Sequence, residues 1–254
     1  MPLAATISKE KFRPHLAVTG ECTLSGEIKV SGAKNSALVL LAASLLSEEE
    51  VVIKNVPKLT DIDGMTEILS KLGVQIKRQA DEVALKACNL QHVELPYEIV
   101  HGLRASFFCI GALLGRLGKA KIPLPGGCKI GARPVVEHIR GLKALGAFIS
   151  VEHGLVTASV PGREGRLKGS NVVLDCPSVG ATETILMAAV LAEGTSTIEN
   201  AAQEPEVQDL AKMLNAMGAR IKGAGGPKIT IEGVCKLKGC NYTVMPDRIE
   251  AGTF

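Results

Sequence analysis

The sequence predicts an α/β protein assembled from consecutive copies of one unit, with its central helices packed inside. Two observations carry that prediction. The first is a recurring octamer, Leu69-Ser-Lys-Leu-Gly73-Val-Gln-Ile76, found again as Leu142-Lys-Ala-Leu-Gly146-Ala-Phe-Ile149 and as Leu214-Asn-Ala-Met-Gly218-Ala-Arg-Ile221. Its glycines are 73 and 72 residues apart. Each copy has the pattern of a helix end, a glycine in the left-handed C-cap position, and entry into a strand. The second observation is that segments 36–46, 103–114 and 182–192 are apolar almost all round. Helices of that kind are buried on every side rather than laid on a surface.

The remaining elements fall into the same order in each copy. Leu24-Ser-Gly26, Leu167-Lys-Gly169 and Leu237-Lys-Gly239 open units, and short strands are expected after them at 27–30, 171–174 and 242–245. The middle unit lacks the tripeptide and enters its helix through Glu94-Leu-Pro-Tyr97. After the apolar helix come strands at 51–54, 120–123 and 196–199, a connection, and a second helix that ends in the octamer. Each unit is thus βαβαββ, of about 72 residues. The tripeptide at Leu237 opens a fourth unit whose helix would begin at Pro246-Asp247-Arg248-Ile249-Glu250, and Phe254 falls inside that helix. A unit cut there cannot bury its apolar face, so the chain is expected to be a truncated one.

One connection is longer than its counterparts. Ile53 to Gly73 and Ile198 to Gly218 are 20 residues each, whereas Ile122 to Gly146 is 24. The excess falls in the loop 124–135, which holds Pro125-Gly126-Gly127-Cys128-Lys129 and Arg133. Cations beside a thiol favour thiolate and draw in anions. An isolated turn of this composition is an ordinary surface feature, and a neutral insertion is the competing explanation. A loop lengthened in one repeat, carrying a cysteine, favours function.

Helix starts supply the other candidates. Gly32-Ala33-Lys34-Asn35, Gly102-Leu103-Arg104-Ala105-Ser106 and Ser178-Val179-Gly180-Ala181 present small residues, and hence free backbone N–H groups, at the positive ends of helices. Lys34 and Arg104 add full charges. Taken alone, Lys34, Arg104 and Asp247 serve equally well as solvent-facing caps. Gln203-Glu204-Pro205-Glu206 is an acidic helix start that could instead grip a sugar hydroxyl.

Composition excludes several classes. The 254 residues carry a net charge of +3, with 3% aromatics and no tryptophan, which argues against a nucleic-acid surface. Seven cysteines form no CxxC pair and five histidines no ligand spacing, so neither a metal site nor a cofactor is expected. Residues 1–14 have no apolar core of a signal peptide, and the apolar runs are shorter than the roughly 20 residues that span a bilayer. A cytoplasmic location without membrane contact is the expectation.

The motifs collected here occur together in one family. Ser31-Gly32-Ala33-Lys34-Asn35, Arg104-Ala105-Ser106, Pro125-Gly126-Gly127-Cys128-Lys129-Ile130-Gly131-Ala132-Arg133-Pro134, Ser178-Val179-Gly180-Ala181-Thr182, Glu204-Pro205-Glu206 and Pro246-Asp247-Arg248-Ile249-Glu250 resemble, in order, the UDP-N-acetylglucosamine enolpyruvyl transferase (1-carboxyvinyltransferase) family. The resemblance runs from about His15 to Phe254. The cysteine loop is its most specific part, because the sister enzyme of shikimate metabolism shares the fold without it.

The resemblance implies a fold of two lobes, each an inside-out α/β barrel of three repeats. One lobe, 34–245 with the loop 124–135, would be complete here, and 1–33 with 246–254 would be fragments of the truncated second lobe. It implies transfer of the enolpyruvyl group of phosphoenolpyruvate to the 3-hydroxyl of UDP-N-acetylglucosamine with release of phosphate, the first committed step of peptidoglycan synthesis. Cys128, the thiol alkylated by fosfomycin in the family, would be the acid, with Lys34 and Asp247 at the reacting centre. Lys34, Asn35 and Arg133 would hold phosphoenolpyruvate. Arg104, Arg133, Pro134, Val135, Val136, Glu137, Cys176, Pro177, Ser178, Val179 and Glu204 would hold the nucleotide sugar. Cys176 departs from a frequent lysine and Phe108 from a common tryptophan. The family's base and a further arginine belong to the other lobe, so slow or absent turnover is expected of these residues alone. The alternative is a non-catalytic UDP-sugar-binding or regulatory module; an enolpyruvyl transferase for another acceptor is disfavoured by the Cys128 loop. Oligomeric state is not implied.

Overall fold

The computed structural model describes residues 20, 23, 25–90, 93–100, 102–125, 135–162 and 165–254. The first unit runs through α1 (Lys34–Ala43), extended by a 3-10 turn at Ser44–Leu46, then β1 (Val51–Lys54), α2 (Thr60–Lys71), β2 (Gln75–Gln79) and β3 (Glu82–Lys86). The second holds α3 (Tyr97–Val100), a 3-10 turn at Arg104–Phe108 that runs into α4 (Cys109–Leu117), β4 (Lys119–Pro123), α5 (Val136–Ala144), β5 (Phe148–Glu152) and β6 (Leu155–Ser159). The third is β7 (Asn171–Val173), α6 (Val179–Ala189), β8 (Thr195–Glu199), α7 (Pro205–Ala216), β9 (Arg220–Lys222) and β10 (Lys228–Glu232). β11 (Asn241–Thr243) and α8 (Arg248–Thr253) follow.

The octamers do what their glycines dictate. After α2, α5 and α7, Gly73, Gly146 and Gly218 take φ of 100°, 92° and 101°. In each, the glycine N–H and the next N–H turn back onto the last turn of the helix: Gly73 to Ser70 and Val74 to Leu69, Gly146 to Lys143 and Ala147 to Leu142, Gly218 to Asn215 and Ala219 to Leu214, all at 2.9–3.1 Å. This is the Schellman closure, which needs a left-handed residue and satisfies carbonyls the helix leaves open.

The apolar helices lie inside. Every residue of α1 from Ser36 to Ala43 is buried, as is every residue of α6 from Ala181 to Ala189 and of α4 from Cys109 to Leu114. The strands form the outer layer as three separate sheets with orders β11-β1-β3-β2, β7-β8-β10-β9 and β4-β6-β5. The first two are equivalent, with one parallel pair at one edge and antiparallel pairs across the rest of the sheet. In the second unit the described residues show one parallel rung, Glu94 beside Lys121, so the unit that lacks its opening tripeptide still keeps that contact.

One expected strand is absent. Residues 27–30 belong to no strand among the described residues. The edge of β1 that they would have joined is taken by β11, with Ile53 opposite Tyr242, and its other edge by β3. Both edges of β1 are therefore filled. Asp209 fastens β11 from inside: its carboxylate accepts from Ser36 Oγ (2.5 Å), Tyr242 OH (2.6 Å) and Met245 N (3.3 Å), joining α7, α1 and the chain after β11. The helix expected from 103 opens as a 3-10 turn and becomes α-helical only at Cys109. No helix among the described residues is long and apolar enough to cross a membrane.

The extra length of the middle repeat is real and local. Residues 124–135, twelve in all, separate β4 from α5, while five separate β1 from α2 and β8 from α7. α5 has 9 residues where α2 and α7 have 12, so the longer connection is partly at the expense of the helix.

Candidate functional site

The helices share a polarity. The starts of α1, α2, α5, α6 and α7, and of the 3-10 turn that leads into α4, all border one cavity of about 860 Å³. Their C-terminal ends lie away from it. Helix N-termini bring partial positive charge and unpaired N–H groups, so their convergence favours an anionic ligand before any side chain is counted.

Side chains add to that field. Lys34, the first residue of α1, lies with Nζ 2.8 Å from Asp61 Oδ2 at the start of α2. Its own N–H donates to Asp247 Oδ2 at 3.1 Å, while Asp247 Oδ1 accepts from Ile249 and Glu250 and so caps α8. Partial burial pushes the Asp247 carboxyl up, but the N–H groups of Lys34, Glu250 and Ile249 and the nearby Arg248 outweigh it and hold it below the usual range. Ser178 caps α6 by accepting from Ala181 N. Glu204 precedes α7 without a side-chain cap bond, with Pro205 at the first helical position.

His138 forms part of the wall. Its Nδ1 is 2.9 Å from Thr184 Oγ1, and its ring stands edge-on to Phe107 with centroids 5.2 Å apart. Gly180 allows this approach, since a Cβ there would lie 3.0 Å from His138 Cε1. Burial, with Arg104 adding to it, lowers the imidazole to about 4, so it is neutral at neutral pH.

Of the sequence-predicted residues, Lys34, Asn35, Arg104, Val135, Val136, Glu137, Cys176, Pro177, Ser178, Val179 and Glu204 all line this one cavity. Glu137 is also engaged sideways, accepting from Asp175 N at 3.1 Å. Asp247 reaches the site through the Lys34 N–H. Pro125 and Val135, on either side of the cysteine loop, border the cavity. Cys128, Arg133 and Pro134 lie outside the described residues.

Several lining residues were not anticipated as such, among them Asp61, Glu183, His138 and Arg248. Glu206, quoted in the sequence only as part of a helix start, is 3% exposed and takes Arg248 Nε at 3.1 and 3.3 Å. Glu183 left a signal in the sequence, a lone acid inside a helix that is otherwise apolar or small. Asp61 and His138 left none, because their roles depend on which helix starts converge.

Comparison with known proteins fits this geometry. The family model for EPSP synthase (3-phosphoshikimate 1-carboxyvinyltransferase) matches residues 18–254. The chain is 73% identical over its whole length to the UDP-N-acetylglucosamine 1-carboxyvinyltransferase of Prochlorococcus marinus (strain MIT 9313), and spans 58% of that protein. It is 67% identical to the protein of the same name from Synechococcus sp. (strain CC9605), spanning 59% of it. Among solved structures, the enolpyruvyl transferase NikO from Streptomyces tendae superposes with a TM-score of 0.78 at 25% identity, over 91% of this chain and 54% of that one. An EPSP synthase from Acinetobacter baumannii superposes with a TM-score of 0.63 at 23% identity, over 87% of this chain and 50% of that one, and shares the fold. The chain belongs to the EPSP synthase (3-phosphoshikimate 1-carboxyvinyltransferase) family of enolpyruvyl transferases.

Proposed function

We propose that the chain serves enolpyruvyl transfer from phosphoenolpyruvate to the 3-hydroxyl of UDP-N-acetylglucosamine, in peptidoglycan synthesis. The observation that carries this is the convergence of helix starts bearing Lys34, Asn35, Arg104, Ser178, Val179 and Glu204 on one cavity, bordered by both ends of the Cys128 loop. The helix starts and their cations suit a phosphate or carboxylate, and Ser178 and Glu204 suit uncharged sugar atoms.

In this reading Cys128 gives a proton to the methylene carbon of phosphoenolpyruvate, and the sugar 3-oxygen bonds to the adjacent carbon as its own proton leaves. Loss of the methyl proton and of phosphate then restores the double bond in the product. The charge that develops on phosphate and carboxylate falls to Lys34, Asn35 and Arg133. Arg104, Arg133 with Pro134 and Val135–Glu137, Cys176–Val179 and Glu204 hold the nucleotide sugar, and Asp247 places Lys34 through its backbone.

Calorimetric titration with UDP-N-acetylglucosamine, followed by fosfomycin labelling of the saturated chain, tests the reading. Binding and a covalent adduct on wild type, with labelling lost in Cys128→Ala, are expected. Failure to bind the nucleotide sugar, or labelling that survives Cys128→Ala, would refute it. Binding together with labelling but no phosphate release from the two substrates would leave the chain a nucleotide-sugar-binding module.

A further inference from the structure

α6 carries three polar residues in succession within an otherwise apolar or small sequence: Thr182, Glu183 and Thr184, each no more than 2% exposed. The two threonines have partners. Thr182 Oγ1 accepts from Ala202 N at 3.1 Å, and Thr184 Oγ1 meets His138 Nδ1 at 2.9 Å. Glu183 has no hydrogen-bond or ion-pair partner among the described residues, and it is one of the residues that line the cavity.

A buried carboxyl without a partner is costly, more so when charged. The neighbouring cations offer it little relief. Arg248 is held by Glu206, and Lys34 by Asp61. Burial raises Glu183 well above the usual carboxylate range, and the Glu206 and Glu204 carboxylates push it the same way. Burial without a partner thus favours the protonated form, which carries one O–H donor and one carbonyl acceptor.

The Glu204 and Glu206 carboxylates along this wall disfavour phosphate there. A group that both donates and accepts suits a hydroxyl or an amide instead. We propose that Glu183 is a further ligand-recognition residue of the cavity, whose carboxyl binds the uncharged polar groups of the sugar, hydroxyl or acetamido, as donor and acceptor together. The cationic helix starts hold the anionic parts, and Glu183 selects what is attached to them. The assignment rests on the nucleotide-sugar reading above.

The test is titration calorimetry of wild type, Glu183→Gln and Glu183→Leu with two probes, UDP-N-acetylglucosamine and UDP, between pH 6 and 9. Glu183→Gln keeps a neutral donor and acceptor and is expected to bind the sugar nucleotide within about threefold of wild type. Glu183→Leu should lose roughly tenfold for the sugar nucleotide and nothing for UDP. Wild type should bind the sugar nucleotide more weakly as alkaline pH ionises Glu183, whereas Glu183→Gln should be flat. Equal affinities in wild type and Glu183→Leu, or equal losses for both probes, would overturn the assignment. If Glu183→Leu does not fold, superimposable pH profiles for wild type and Glu183→Gln would overturn it. Wild type that binds neither probe would instead sink the nucleotide-sugar reading, and this one with it.

Discussion

The two ends of the helical layer are made by the same helices and do opposite things. At the N-terminal end, the helix starts leave their N–H groups around a cavity of about 860 Å³. At the C-terminal end, the open carbonyls are satisfied from within. Arg116 Nη1 donates to Leu45 O (2.7 Å) and Ser47 O (3.2 Å) beyond α1, and Arg166 Nη2 donates to Leu191 O (3.1 Å) and Val234 O (3.3 Å) beyond α6. α2, α5 and α7 close with Schellman glycines instead. The difference teaches that charge at one end is left facing a cavity and charge at the other is consumed by the fold. Function and stability should therefore separate by mutation.

The sharpest break is at Lys34. Its ion pair with Asp61 is about two-fifths exposed on both sides, so it contributes little to stability. Lys34→Ala is expected to weaken phosphoenolpyruvate binding to the UDP-N-acetylglucosamine-saturated chain by roughly 10²–10³-fold. Its urea midpoint should stay within about 1 kcal/mol of wild type. A large loss of stability without loss of binding would reverse the assignment of the two ends.

His138 tests the cavity wall in the other direction, because it supports the site through the fold. Its pKa is lowered from 6.5 to about 4 by burial and then by Arg104. The folded state thus binds fewer protons than the unfolded one between those values. Stability is complete above about pH 6.5 and falls as pH drops through 4, by on the order of 3 kcal/mol. Urea titrations at pH 7, 5.5 and 4 should show that loss in wild type, and a flatter profile in His138→Gln.

Much of this was legible in residues. The octamer glycines fixed three helix ends and the unit length, and the all-round apolar segments fixed the buried helices, because both are local consequences of backbone and solvent. The longer loop was visible as four extra residues. Other features were not legible. The edge of β1 is taken by β11, some 190 residues away in sequence, and not by the nearby 27–30. Lys34 pairs with Asp61, and His138 with Thr184, only because separate helix starts meet. Glu183 was visible as an anomaly, but its significance required knowing that it lines the cavity.

Arg116 probes the end where charge is consumed. Its side chain is 11% exposed, and burial lowers its pKa despite Glu48 nearby. Arg116→Met keeps much of the apolar stem but leaves the carbonyls of Leu45 and Ser47 without their donor. The expected cost is about 2 kcal/mol in urea unfolding, with affinity for UDP-N-acetylglucosamine unchanged. A matching loss of affinity would mean that the two ends are coupled through the length of the helices.

The smallest effect tests the repeat itself. Gly146 and Gly218 hold φ of 92° and 101°, and a Cβ at either would meet nothing within 4 Å. Alanine at each site should therefore cost only the left-handed backbone penalty, about 1 kcal/mol, and the two costs should agree. α5 has 9 residues to the 12 of α7 and follows the long loop, so it has fewer turns to anchor its end. If the short helix yields to relieve the strain, Gly146→Ala will cost less than Gly218→Ala in urea unfolding and will alter nucleotide-sugar affinity, because the start of α5 lines the cavity. Equal costs with unchanged affinity would mean that the middle repeat acquired its loop without loosening the closure it shares with the others.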